Sequence, residues 1–260
     1  MVEKNQNQFQ PYRNDGFILS IGLICKTNSI VTKIQALIFA LMLFSVRRIK
    51  NLFTGIIEEI GTVTSIQRKP HALELTIRAK TVLEDVKRGD SISVNGVCLT
   101  VSSFTKDLFV VDVIPETFKS TTLAKLSSNS RVNLERAMAA NGRFGGHFVS
   151  GHIDGIGVIR SIRKETNAIT KKIEIEPSLM KYMMLKGSVA VDGTSLTIFH
   201  VDQSSISISL IPTTQSDSLL GDKGIGDKVN IECDMLAKYT ERIHLSKSNM
   251  SKEWLSEHGY

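Results

Sequence analysis

The sequence predicts an all-β protein built from two tandem six-stranded antiparallel Greek-key barrels, followed by a C-terminal α-helix. Three observations lead to this fold class. Apolar and polar residues alternate with a period of two, as in LELTIRA at 73–79, which is typical of half-buried strands. Glycines interrupt these runs at short intervals. Finally, NGVCLTV at 95–101 returns as DGTSLTI at 192–198, so one unit occurs twice.

Other parts of the unit repeat as well, in the same order and at nearly the same offset. The matched blocks are TGIIEEIGTVTSI (54–66) with SGHIDGIGVIRSI (150–162), VDVIPETF (111–118) with ISLIPTTQ (208–215), and RVNLERAM (131–138) with KVNIECDM (228–235). The repeat predicts a first barrel over residues 52–145 and a second over residues 146–235, each close to the size of a small domain.

Helices are predicted at three places. TVLEDVKRG at 81–89 and PSLMKYMMLKG at 177–187 each read as one short helix within a barrel, since Pro and Ser suit a helix start and Gly suits a stop. After the second barrel, residues 236–260 begin with a helix that places Leu236, Tyr239 and Ile243 on one face. This apolar stripe predicts that the helix packs on something, and a partner subunit is the natural candidate.

Residues 1–51 differ from the rest of the chain. They hold seven basic and two acidic side chains, so the remaining residues carry a net charge of only +1, which argues against a nucleic-acid partner. The apolar run at 34–46 is too short for a comfortable membrane span and precedes its basic residues, unlike a secretory signal. A membrane anchor, an organelle-targeting extension and translated upstream sequence all stay open, and we favour the last two.

The three cysteines, Cys25, Cys98 and Cys233, are far apart and lack ligand-like spacing. Neither a disulfide framework nor a metal site is therefore indicated, and a reducing compartment is expected. We expect the cytoplasm, or an organelle such as a plastid if residues 1–51 are a transit segment. No membrane contact is expected for the barrels.

Several motifs resemble those of the riboflavin synthase family, alpha type, in their usual order. They are FTGIIEEIG, NGVCLTV, GGHFVSGHIDG, DGTSLT, VNIE and LAKYTER, and the resemblance covers residues 53 to about 245. It implies a homotrimer held by the C-terminal helix, with each active site between the first barrel of one subunit and the second barrel of its neighbour. Association with lumazine synthase is left open.

The resemblance also implies the reaction. Two molecules of 6,7-dimethyl-8-ribityllumazine would exchange a four-carbon unit and give riboflavin and 5-amino-6-(D-ribitylamino)uracil, the final step of riboflavin biosynthesis, without a cofactor. Two copies of the unit would then bind two copies of the substrate. Their different side chains, such as Cys98 against Ser195, could assign the donor and acceptor roles.

The substrate is a flat heterocycle with a polyhydroxyl chain, so hydroxyls, backbone amides and a few charged groups should line its pockets. The matched strands supply Ser91, Cys98, Thr100, Glu116 and Thr117 in the first copy, and Asp192, Ser195, Thr197, Thr213 and Thr214 in the second. The resemblance adds contacts at Gly55, Ile56, Ile57, Leu99, Asp112, Val113, Ile114 and Pro115, and, assigned to the second barrel, at Gly151, His152, Ile153, Lys186, Leu196, Ser209, Leu210, Ile211 and Pro212. At 211–220, IPTTQSDSLL departs from the family pattern, so backbone contacts are expected there.

Catalytic roles follow from what the reaction needs near neutral pH: proton transfer at one C7 methyl group and addition of a nucleophile at the other C7. His152 is the candidate for proton transfer because imidazole titrates in this range. Cys98, Ser195 and Thr197 could hold or generate the nucleophile. The resemblance further implies that Phe53 and Thr54 close over the substrate.

Two other functions are compatible with parts of the sequence. A non-catalytic lumazine- or flavin-binding protein of the same fold is the main alternative, although the presence of Cys98, His152, Ser195 and Lys186 favours the enzyme. A flavin-binding barrel of a reductase would need a nucleotide-binding βαβ domain, and no GxGxxG motif follows a strand. GDKGIGDK at 221–228 is interpreted as a turn before a strand.

Overall fold

The computed structural model describes residues 52–70 and 72–247, and there the chain forms two closed six-stranded antiparallel barrels. The predicted fold class is confirmed. The N-terminal extension predicted for residues 1–51 and the tail after residue 247 lie outside the described residues. No helix in the described part of the chain is long and apolar enough to cross a membrane.

The two barrels share one strand order. The first contains β1 (Glu59–Arg68), β2 (Leu73–Arg78), β3 (Ser91–Val94), β4 (Val97–Phe104), β5 (Leu108–Val113) and β6 (Arg131–Arg136). The second contains β7 (Gly155–Lys164), β8 (Ile169–Glu174), β9 (Ser188–Val191), β10 (Thr194–Val201), β11 (Ser205–Leu210) and β12 (Lys228–Cys233). Neighbours around the first barrel are β1-β2-β5-β4-β3-β6, and the second follows the equivalent order β7-β8-β11-β10-β9-β12.

Each barrel has its own apolar core. Leu75, Ile77 and Phe109 fill the first and are fully buried, and Ile173, Ile198 and Ile208 fill the second. Burying such side chains stabilises the fold by about 1.5–3 kcal/mol each. The apolar positions of the alternating strands, such as Leu75 and Ile77, are the ones that face inward, as the sequence predicts.

The two barrels meet at the hairpin turns of β3–β4 and β9–β10. Asn95 and Asp192 begin these turns with positive φ angles of 48° and 44°, as a type I′ turn requires. Asn133 and Asn230 tie the turns together, since each donates from its side-chain amide to a turn carbonyl of the opposite barrel, at 3.0 and 2.8 Å. The fully buried carboxylate of Asp192 accepts from the Asn230 N–H at 2.8 Å.

The predicted helices at 81–89 and 177–187 are wrong in length, because the structure has only 3₁₀ turns at Thr81–Leu83 and Pro177–Tyr182. In the first, the Glu59 carboxylate accepts from the N–H groups of Lys80 and Val82 at 2.7 and 3.2 Å. These bonds cap the start of the turn. At the end of the predicted helix, Gly89 N donates to Val101 O of β4 at 2.9 Å, so a strand takes up the N–H group that a continuing helix would have used.

Three α-helices lie in the described residues: α1 (Pro115–Ser120), α2 (Pro212–Asp217) and α3 (Met235–Lys247). Helices α1 and α2 were not predicted from the sequence, although Pro at the first helical position was a usable signal. The C-terminal helix α3 is confirmed. Its predicted stripe is exposed to solvent in the single chain, with Leu236, Tyr239 and Ile243 at 59%, 63% and 59%.

Candidate functional site

Two short segments cross between the barrels. The first leading segment, residues 53–57, precedes β1, and the second leading segment, residues 149–153, precedes β7. They pair with each other, since Phe53 N donates to Val149 O at 2.8 Å and Val149 N donates to Phe53 O at 3.1 Å. Phe53 is fully buried in this pairing.

Each leading segment ends against the opposite barrel. Ser195 N donates to Gly55 O at 2.8 Å, and Cys98 N donates to Gly151 O at 2.9 Å. Residues 55–57 were predicted to serve the first barrel and residues 151–153 the second, and the structure reverses this grouping. The repeat alone could not reveal the exchange, since it matches the segments to each other without saying which barrel each one touches.

The second-barrel site is the cleft formed where the first leading segment meets β10 and α2. It has a volume of about 190 Å³ and is lined by Gly55, Ile56, Ile57, Thr194, Ser195, Thr213, Thr214, Asp217 and Ser218. Six of these were predicted site residues, and three were missed: Thr194, Asp217 and Ser218. A larger cleft of about 420 Å³ lies beside α1, and Pro115 is its one predicted site residue. The smaller cleft, which contains six predicted residues, is therefore the better candidate.

The first-barrel site is its counterpart, where the second leading segment meets β4. Gly151 packs directly on Cys98, and Ile153 packs on the core of the first barrel. His152 lies between them with its side chain exposed. The predicted residues Cys98, Gly151, His152 and Ile153 are thus brought together.

Glycine is required at the contact point of each leading segment. Gly55 and Gly151 both have a φ of 79°, a conformation that other residues adopt only with strain. A Cβ atom would lie 2.6 Å from Ser195 Cβ at Gly55, and 2.5 Å from Cys98 Cβ at Gly151. The backbone therefore approaches the reactive side chains as closely as it can.

His147 completes the second-barrel site. Its Nδ1 lies 2.7 Å from Ser195 Oγ, and its backbone N–H donates to Thr54 O at 3.1 Å. Burial lowers the pKa of His147, so the imidazole is neutral at neutral pH and can accept the Ser195 proton. From the sequence, His152 was the predicted residue for proton transfer. The available signal for His147 was its position after two glycines, which let residue 146 pass close to Thr54 and Ser195.

Cys98 has a different environment from its counterpart Ser195. Burial raises the pKa of the Cys98 thiol, opposed by a hydrogen bond with Ser91. The thiol is therefore protonated at neutral pH, which suits hydrogen bonding better than nucleophilic attack. The two sites share backbone geometry and differ in chemistry.

Two buried glutamates were missed entirely. Glu135 accepts from Thr54 N at 2.7 Å, from Thr54 Oγ1 at 2.9 Å and from Gly55 N at 3.1 Å. Glu232 accepts from Ser150 N at 2.7 Å, from Ser150 Oγ at 2.7 Å and from Gly151 N at 2.9 Å. Their signal was the repeated VNLE and VNIE, in which the acid follows an inward-facing apolar residue.

The strand alternation divides the remaining predicted contacts. Leu99, Val113, Leu196 and Leu210 point into the barrel cores, so they can offer a ligand only their backbone. The outward-facing predicted residues are Thr100, Asp112, Ile114, Pro115, Glu116, Lys186, Thr197, Ser209, Ile211, Pro212 and Thr213, whereas Thr117 and Thr214 are half-buried. Ser91 is buried beside Cys98.

Asp192 is placed away from either site. It is fully buried between the barrels, where Lys223 Nζ lies 2.6 Å from its Oδ2. Burial raises the pKa of Asp192, and Lys223 opposes the shift. Its carboxylate is thus occupied by protein groups in the single chain, and a substrate contact at this residue stays a prediction. No group of three potential metal ligands occurs among the residues that the structure describes.

Comparison with known proteins identifies the family. The lumazine binding domain model matches twice, at residues 54–137 and 150–234. A riboflavin synthase of Bacillus subtilis (strain 168) is 54% identical over 215 residues, covering 80% of this chain and 100% of that protein. A riboflavin synthase of Schizosaccharomyces pombe is 42% identical over 194 residues, covering 74% of this chain and 93% of that protein.

Solved structures of LumP show the same fold. LumP complexed with riboflavin matches with a TM-score of 0.65 and 25% identity, covering 70% of this chain and 98% of LumP. LumP complexed with 6,7-dimethyl-8-(1'-D-ribityl) lumazine matches with a TM-score of 0.62 at the same identity and coverage. The identity with the synthases is about twice as high. The chain therefore belongs to the riboflavin synthase family, with two lumazine binding domains.

Proposed function

We propose that this chain, a transferase of the riboflavin synthase family, binds one molecule of 6,7-dimethyl-8-ribityllumazine at each of its two sites and converts two molecules into riboflavin and 5-amino-6-(D-ribitylamino)uracil. The observation that carries this proposal is the pair of sites with one backbone geometry and different reactive groups. One site presents Cys98, and the other presents Ser195 with His147 at 2.7 Å. A dismutation needs two identical substrates in unequal surroundings, which this arrangement provides.

The unequal surroundings suggest the roles. At the second-barrel site, neutral His147 would take a proton from Ser195 or from a water held by Ser195 and Thr197, so that an oxygen nucleophile adds at C7 of one lumazine. At the first-barrel site, His152 would take a proton from the C7 methyl group of the other lumazine. Phe53 and Thr54 would hold the closing segment. Positioning two rings together would supply much of the acceleration.

We further propose that the working form is a homotrimer, in which the first-barrel site of one subunit faces the second-barrel site of its neighbour. The exposed outward faces of both sites and the exposed stripe on α3 support this arrangement. The cytoplasmic location stays a prediction. So does association with lumazine synthase, which co-sedimentation of the two proteins would test.

Turnover distinguishes the enzyme from a carrier. The chain expressed from residue 52, with methionine in place of Leu52, and the full-length chain are each incubated with the lumazine, and absorbance follows riboflavin formation. Riboflavin without added cofactor supports the synthase. Tight lumazine binding by a folded chain that forms no riboflavin would support the carrier and would direct attention to residues 211–220.

His147→Gln is expected to lower kcat by about 100-fold, within the range for a lost general base. His152→Gln is the comparison, because it changes the other candidate five residues away. Since burial lowers the pKa of His147 from 6.5, its base form persists below that pH. Protonation of His147 should therefore contribute an acid limb of kcat below pH 6.5, which His147→Gln should lose and His152→Gln should keep. An unchanged limb in this variant would remove His147 from proton transfer.

A further inference from the structure

A buried carboxylate holds each leading segment. Each carboxylate lies in one barrel, and the segment that it holds contacts the other barrel. Glu135 belongs to β6 of the first barrel and is 3% exposed. It accepts three hydrogen bonds from Thr54 and Gly55 at 2.7–3.1 Å. The carbonyl of the same Gly55 accepts from Ser195 N in the second barrel. A continuous chain of hydrogen bonds therefore runs from Glu135 to the second-barrel site.

The second chain of hydrogen bonds mirrors the first. Glu232 belongs to β12 of the second barrel and is 1% exposed. It accepts from Ser150 and Gly151 at 2.7–2.9 Å, and the Gly151 carbonyl accepts from Cys98 N in the first barrel. Each glutamate is thus housed in one barrel and connected to the reactive residue of the other.

We infer that Glu135 is a positioning residue for the second-barrel site and that Glu232 is a positioning residue for the first-barrel site. The consequence for catalysis rests on the proposed function. The positioning of each leading segment against the opposite barrel does not. Neither glutamate needs to touch the substrate. Each glutamate fixes the distance between a glycine backbone and the residue it faces, Gly55 to Ser195 or Gly151 to Cys98. It thereby fixes the shape of the cleft that receives the lumazine ring.

Carboxylate chemistry explains why glutamate fits this role. Two N–H groups and one hydroxyl converge on each side chain, and an ionised carboxylate accepts from all of them. Oε2 of Glu135 accepts from Gly55 N at 3.1 Å, and Oε2 of Glu232 accepts from Gly151 N at 2.9 Å. With its oxygen in place of Oε1, glutamine would turn its NH₂ group toward that glycine N–H, and two donors would then face each other. Glu→Gln therefore loosens the segment while it preserves side-chain volume.

Hydrogen exchange tests the crossing directly. In E135Q, the amide of Ser195 should exchange about tenfold faster or more, because Gly55, which carries its acceptor, has lost a hydrogen bond to a charged group. The Cys98 amide should respond less. E232Q should show the reverse. Each variant is the control for the other. Because Phe53 and Val149 join the two segments, the uncrossed amide need only respond less than the crossed one.

Lumazine binding supplies the functional readout. Each variant should weaken one of the two lumazine sites per chain by about tenfold, with the other site unchanged. If the wild type shows protected Ser195 and Cys98 amides but binds no lumazine, the proposed function fails and the positioning inference survives. If the wild type binds and turns over lumazine while both variants match it, the inference fails alone.

Protonation of Glu135 gives a test that needs no variant. Burial raises the pKa of Glu135 to about 7, against the hydrogen bonds from Thr54 and Gly55. The charged groups around it are Glu58, Asp85, Arg136 and Arg143. Arg136 forms ion pairs with Glu58 and with Asp85. Below pH 7 the protonated acid accepts fewer hydrogen bonds, so protection of the Ser195 amide should fall from pH 8 to pH 6 after correction for intrinsic exchange.

Two results would overturn the inference. One is faster exchange confined to the strand that carries the substituted glutamate, β6 or β12, with Ser195 and Cys98 unaffected. The other is wild-type protection of the Ser195 amide that stays constant through the pH range in which NMR shows the Glu135 carboxyl to titrate. The second result stands even if a variant fails to fold.

Discussion

Gly151→Ala lowers kcat/KM for lumazine by about 100-fold, the loss expected when a reacting group moves by about 1 Å. The added Cβ would lie 2.5 Å from Cys98 Cβ and 2.7 Å from Cys98 N. Neither contact can be relieved by rotating a long side chain, so the second leading segment must move away from β4. Steady-state kinetics measure the loss, and thermal unfolding of the same sample reports whether the chain is folded.

Gly89→Ala is the matched control for this substitution. Gly89 has a similar positive φ of 90°, yet nothing lies within 4 Å of the position that its Cβ would occupy. It therefore carries the backbone strain, about 1–2 kcal/mol, without the steric contact. Equal losses of kcat/KM in both variants would show that strain alone matters and that Gly151 does not shape the site.

Replacing the apolar stripe of α3 has the second large effect. The triple variant Leu236→Ser, Tyr239→Ser, Ile243→Ser removes three side chains that are about 60% exposed in the single chain. Each loses about 1.5–3 kcal/mol of burial if it packs on a partner, enough to dissociate the assembly at micromolar concentration. Sedimentation should show a monomer, and riboflavin formation should fall below detection, because each chain then lacks the facing site of its neighbour.

His244→Ser on the same helix serves as the control, since it changes an exposed polar residue. It should leave both the assembly and the turnover unchanged. A triple variant that sediments as a monomer but keeps full turnover would show that one chain is sufficient, and the proposal of sites shared between subunits would then be withdrawn.

The barrels were predictable because strand periodicity reports directly on burial. Leu75 and Ile77 alternate with polar neighbours and fill the core as expected, and the stripe at Leu236 and Tyr239 lies on one helical face. Local sequence signals for helices were less reliable, because tertiary contacts determine where a short helix ends. The predicted helix at 81–89 became a single 3₁₀ turn. Glu59, more than 20 residues earlier, caps its first N–H groups, and Gly89 N donates to Val101 O of β4 instead of to a helical carbonyl.

The site was predictable in its residue types but less so in its connections. Cys98 and Ser195 were named from the repeated strands, and the contacts at Gly55 and Gly151 from the family resemblance. The exchange of leading segments could not be read from the repeat, since matched segments look alike whichever barrel they reach. His147 and Glu135 were missed for the same reason, because their partners Ser195 and Thr54 are 48 and 81 residues away in the chain.

The differences between the two copies now have physical meanings. Asn95 and Asp192 occupy equivalent turns, and only the carboxylate pairs with Lys223 in the contact between the barrels. Cys98 and Ser195 receive equivalent glycine carbonyls, and Ser195 has the buried histidine within hydrogen-bond distance. The first difference concerns how the barrels are joined, and the second concerns chemistry.

The stoichiometry of turnover is the decisive measurement. Lumazine consumed and riboflavin formed are quantified by chromatography in the same reaction, without added cofactor, together with the pyrimidine product. We expect two lumazines consumed for each riboflavin, with one 5-amino-6-(D-ribitylamino)uracil released. Riboflavin formed at one lumazine per product, or lumazine bound at both sites and recovered unchanged, would contradict a dismutation between two unequal sites.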